Sequence, residues 1–111
     1  MPSETRAGRE ELPARRPLTR VLTEHDGHAY FVDYACFPDG RIAEIFVNAR
    51  KSSSAAEAIA RDAAIVLSIA LQYAAPYQAL RRAMTRDGQG QPLSIVGHAL
   101  DVAADDAEGA T

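Results

Sequence analysis

The run from Tyr34 to Tyr73, YACFPDGRIAEIFVNARKSSSAAEAIARDAAIVLSIALQY, constrains the fold most, because three local signals agree within it. An apolar strand ends at Pro38-Asp39-Gly40, and an Asp-Gly pair between two such runs is a strong hairpin signal. A second strand returns over 41–48, with Ile42, Glu44 and Phe46 pointing one way and Ala43, Ile45 and Val47 the other. Ser54 then stands three residues before Glu57, a capping box that opens a helix. That helix is predicted to reach about Tyr73 and is apolar on nearly every face after Ala63. Such a helix is expected to be central, with the sheet on one side and other helices on the other.

The flanks complete the order. Residues 19–24 are compatible with a strand, His25-Asp26-Gly27 supplies a turn, and 28–37 form a strand rich in aromatic and β-branched residues. Downstream, Pro76 is placed to open a second helix, whose Tyr77, Leu80 and Met84 share one face. A third helix is expected from Pro92 or Leu93 to about Ala104, burying Leu93, Val96, Leu100 and Ala103. The fold class is α+β: a three-stranded antiparallel meander followed by three helices, βββααα, with the first helix packed on the sheet. Residues 1–17 read as a flexible basic arm, 18–104 as a single domain, and 105–111 as an acidic disordered tail.

With 111 residues the chain is one small domain, and its core is thin: alanine supplies much of the 47% hydrophobic content, aromatics are 6%, and there is no Trp. The thin core and the open edges of the meander predict a homodimer. A net charge of −3 is too small to call for nucleic acid, and the arginines of the arm are interleaved with Glu4, Glu10 and Glu11. Cys36, the single cysteine, excludes an internal disulfide and reads as an inert strand thiol. No apolar leader is visible, and the run Ala63 to Leu71, broken by Ser68, falls far short of the ~20 residues of a membrane span. These features predict a cytoplasmic chain with no membrane contact.

Candidate chemistry is sparse. Arg50, Lys51, Ser53 and Ser54 lie where a helix begins, so backbone N–H groups and two cations could hold a phosphate or carboxylate. The segment lacks the glycine framework of a P-loop. His25, His28 and His98 have no metal-ligand spacing, and no metal or cofactor is expected. Cys36 and the serines lack a nucleophile motif, and Asp33 and Glu44 are two carboxylates expected on exposed strand faces. The chain is therefore expected to be noncatalytic. Tyr30, Tyr34 and Tyr77, with Arg81 and Arg82, are candidate contacts to a protein partner. The alternative is that each tyrosine packs over the core with a wet hydroxyl.

Tyr34, Asp39-Gly40-Arg41, Glu44-Ile45-Phe46, Lys51, Ser53, Ser68-Ile69-Ala70-Leu71-Gln72-Tyr73 and Pro76 together, and in this order, resemble a known family. It is the TSCPD domain, the C-terminal accessory segment of adenosylcobalamin-dependent (class II) ribonucleotide reductases. The resemblance runs from about Arg15 to Leu100, and Leu12-Pro13-Ala14-Arg15-Arg16 looks like the arginine-bearing lead-in of that segment. The serine run departs from it, since the family usually has glycine near Ser52 or Ser53. A full reductase requires a barrel, a radical cysteine, a reducing cysteine pair and a cobalamin site, which one cysteine and this length cannot supply. The resemblance implies a protein-binding or regulatory module whose partner could be a ribonucleotide reductase. Two other readings stay open: a repurposed inhibitor of an unrelated complex, of the phage or mobile-element type, and a nucleotide-binding module at Arg50-Lys51-Ser54.

Overall fold

The structure, a computed structural model, describes residues 8–51 and 54–109. Three strands, β1 (Thr19–His25), β2 (His28–Cys36) and β3 (Ile42–Ala49), form an antiparallel sheet in the order β1-β2-β3. Three helices follow: α1 (Ala55–Gln72), α2 (Tyr77–Ala83) and α3 (Ile95–Gly109). The βββααα order matches the expectation from sequence.

Local chemistry accounts for the turns. Asp26 and Gly27 sit at φ 52° and 78° between the paired residues His25 and His28. This is the two-residue hairpin for which Asp-Gly is suited, since both central positions need positive φ. At the second hairpin, Gly40 has φ 98° and the Asp39 carboxylate accepts the Arg41 amide. Ser54 caps α1 by accepting the Glu57 amide at 3.2 Å, the serine half of the predicted capping box, while the Glu57 side chain turns instead to the Ala49 amide.

One sheet face carries the core. Val32, Tyr34, Ile45 and Val47 point to it and meet Leu100, Ala99 and Ala103 of α3, which reaches all three strands. Tyr77, Leu80 and Met84 add the inner face of α2. Gly97 makes this packing possible: a Cβ there would lie 3.0 Å from Pro92 Cβ and 3.2 Å from Met84 Cβ. Leu93, expected inside, is exposed, because α3 begins two residues later with the Ser94 hydroxyl accepting the Gly97 amide.

The opposite sheet face carries two arginine–carboxylate pairs. Arg16 grips Glu44 through two nitrogens, and Arg20 grips Asp33 at 2.8 and 3.0 Å while lying over the Phe31 ring. Glu44 and Asp33 are therefore buried, not the solvent-facing carboxylates expected. The flexible arm, predicted over 1–17, needs correction within its described part, while residues 1–7 lie outside the described residues. Glu10 N–H donates to the Gln72 carbonyl at 2.7 Å and the Arg9 guanidinium to the Gln72 side chain, so the segment is tied down at Arg9, Glu10 and Arg16. The acidic tail is corrected too, since α3 continues through 105–109 and Asp106 accepts the Tyr34 hydroxyl at 2.7 Å.

The packing of α1 is inverted. Its buried residues are Glu57, Ala60, Ala64, Ser68, Leu71 and Gln72, three of them polar. The reason lies in β3, an edge strand whose outward backbone groups need partners. The Ile45 amide donates to the Ser68 hydroxyl at 2.8 Å, which itself lies 2.9 Å from the Ile45 carbonyl. Gln72 donates to the Ala43 carbonyl and Glu57 accepts the Ala49 amide, each at 3.0 Å. Ala60 and Ala64 between them hold nothing that would keep the helix away. This edge is sealed, so the expectation of two open meander edges fails on the β3 side.

Candidate interaction surface

Because α1 turns polar groups inward, its apolar groups face outward. Ile59 and Val66 are 69% and 64% exposed, and Ile65, Ile69 and Tyr73 share that side. They are five of the eight large hydrophobic residues exposed among the described residues. The expected central helix is thus covered on one side only. An exposed apolar helix face of this kind is a candidate interaction surface.

The predicted contact residues are mostly committed elsewhere. Tyr34 is 4% exposed, and burial, with the Asp106 hydrogen bond adding, pushes its hydroxyl up to about 12. Tyr77 is half-buried and donates to the Leu100 carbonyl at 2.6 Å. Burial raises its pKa as well. Tyr30 is half-buried against the core, and only Arg82 of the group is fully exposed. Neither Tyr34 nor Tyr77 can anchor a partner without leaving the core contacts that hold it.

Arg81 belongs to a structural cluster. Asp101 accepts from Arg81 Nε at 2.7 Å and from both terminal nitrogens of Arg86 at 2.9 Å. Those Arg86 bonds chiefly hold its carboxyl below the ordinary value, against burial and with Arg81 adding. A carboxylate depressed on folding stabilises fully above its unfolded pKa of ~3.9, and the gain is lost as pH falls through the folded value. Asp101→Asn should therefore lower Tm at neutral pH and flatten its decline below about pH 4, read by circular dichroism melts across pH.

At the other end of the sheet, Arg50, Lys51, His28 and Glu24 line a cavity of about 290 Å³. Arg50, Lys51 and Ser54 are exposed, Ser54 already spends its side-chain oxygen on the Glu57 amide, and Ser53 lies outside the described residues. His25 and His98 stack at 5.1 Å; His98 bonds Thr23 and His25 bonds the Leu93 carbonyl. Burial, then His25, lowers the His98 pKa. No group of three possible metal ligands occurs among the described residues. Cys36 is half-buried, and burial raises its thiol pKa, which disfavours the reactive thiolate. No helix among the described residues is long and apolar enough to cross a membrane.

Fold and surface together define a small α+β module that presents one bare helix face. Among curated proteins, the chain is 36% identical over 77 residues to a vitamin B12-dependent ribonucleotide reductase of Agrobacterium fabrum, covering 69% of this chain and 6% of that protein. A second such reductase, from Bradyrhizobium diazoefficiens, is 32% identical over 68 residues, 61% of this chain and 5% of that protein. No family model matches the sequence, and no solved structure does. The chain is related to a segment of these reductases, and it spans only 5–6% of their length.

Sequence reasoning missed the α1 face. The signal was present in the spacing of Ile59, Val66, Ile69 and Tyr73, opposite Ser68 and Gln72. An apolar stretch was read as needing cover on every side, when the strand edge had a stronger claim on the polar residues.

Proposed function

We propose that this chain is a noncatalytic accessory module, of the kind that the TSCPD segment forms in vitamin B12-dependent ribonucleotide reductases, and that it works by protein–protein contact. The observation that carries this reading is the inverted α1, whose outer side leaves Ile59, Val66, Ile69 and Tyr73 in solvent. Exposing that much apolar side chain is unfavourable by roughly 25 cal/mol per Å², so a protein that covers it is bound. The relation to reductase segments makes a reductase the first partner to try.

The test is retention of a purified vitamin B12-dependent reductase from the same host on the tagged chain, with and without Val66→Glu. Stoichiometric retention by the unmodified chain, lost in the variant, is the expected result. Retention that Val66→Glu leaves unchanged would place the contact elsewhere. Retention through α1 of an unrelated protein, and not of the reductase, would favour the repurposed inhibitor.

A further inference from the structure

We propose that the outer face of α1 closes on a second copy of this chain, the two helices lying antiparallel about a two-fold axis between Val66 and Ile69. The proposal rests on the reading of that face as the interaction surface and adds its occupant. Ala55, Ile59, Asp62, Val66, Ile69 and Tyr73 are all exposed and follow one another at spacings of 4, 3, 4, 3 and 4 residues. That is the narrow seam of a paired helix, not the wider stripe of a helix lying on a globular core.

A two-fold contact needs a patch complementary to itself, and the register that pairs Val66 with Ile69 makes this seam so. With Val66 against Ile69 of the second copy, Ile65 falls against Ala70, large against small. Asp62, the one charged residue of the seam, then falls opposite Tyr73, whose hydroxyl can donate to the carboxylate. Sliding by one step of the repeat would set Asp62 against Val66, which would bury an unpartnered carboxylate and is disfavoured. Antiparallel helices also place the positive end of each dipole beside the negative end of the other.

The extent of the face fits a modest dimer. An 18-residue helix is about 27 Å long and about 10 Å wide with its side chains, so the helix faces alone bury roughly 540 Å² over the two copies. That is below the roughly 1,000 Å² of a standard specific interface and predicts a weak dimer, populated only at about 100 μM and above. A reductase held through the same face competes with the second copy.

Sedimentation velocity on the full chain, from low micromolar to a few hundred micromolar, provides the test. A shift from the 11.9 kDa monomer to a dimer is expected, absent in both Val66→Glu and Ile69→Lys. Circular dichroism should remain native, because both positions are exposed. Tyr73→Phe should weaken the dimer about tenfold by stranding the Asp62 carboxylate, and adding Asp62→Leu should restore it. A monomer throughout the range overturns the proposal, as does a dimer that both seam variants leave intact. A monomer whose reductase retention still depends on Val66 would spare the face and reject only this occupant; indifference in both assays would reject both.

Discussion

Leu100→Ala should destabilise the domain by about 2–5 kcal/mol, the range for a fully buried leucine truncated in a core that cannot close around the gap. Leu100 is 0% exposed and shares the core cluster with Val32, Tyr34, Ile45 and Val47 of the strands and with Ala60, Ala64, Ala99 and Ala103 of the helices. The strand residues are fixed by ladder bonds, and the alanines have no rotamers with which to fill space. A domain of this size has a total stability near the low end of about 5–15 kcal/mol, so the loss is a large fraction of the whole. Urea unfolding should show the midpoint falling with the slope unchanged. Leu93→Ala is the control: Leu93 is 55% exposed, and its truncation should stay within about 0.5 kcal/mol. Equal costs at the two positions would contradict the start of α3 at Ile95.

Much of this architecture could be read from short-range signals. The Asp-Gly hairpins, the alternation over 44–47, the Ser54 cap and the Tyr77-Leu80-Met84 face are local features, and each falls where its residues place it; Ile42 departs, joining Ile45 and Val47 in the core where the ladder shifts register between Ala35 and Cys36. What could not be read were contacts between segments distant in sequence. Nothing near Glu44 reveals that Arg16 will reach it, or near Asp33 that Arg20 will, so alternation assigned both carboxylates to solvent. For the tyrosines the core-packing alternative holds, but the Tyr34 and Tyr77 hydroxyls are bonded and not wet. Whether Tyr34 is an anchor or a core residue depends on Asp106, seventy-two positions away on a helix that sequence had ended at Ala104.

The face of α1 was hidden by a general assumption, that a helix buries its apolar side. Ser68→Ala tests the inversion directly. On helix propensity alone the change should stabilise by a few tenths of a kcal/mol, since alanine is the best helix former. In this fold it removes the acceptor of the Ile45 amide and the donor to the Ile45 carbonyl, both at a buried strand edge. A buried donor left without a partner costs about 1–3 kcal/mol, so the net sign should be destabilising. Ile59→Ala removes three carbons, yet Ile59 is 69% exposed, and in the monomer its truncation should stay within about 0.5 kcal/mol. Measured in a Val66→Glu background, where a seam dimer cannot contribute, serine should be the costlier of the two. The opposite order is what an ordinary amphipathic helix gives, and finding it would mean that α1 is rotated about its axis, with its apolar stripe against the strand and no bare face to offer a partner.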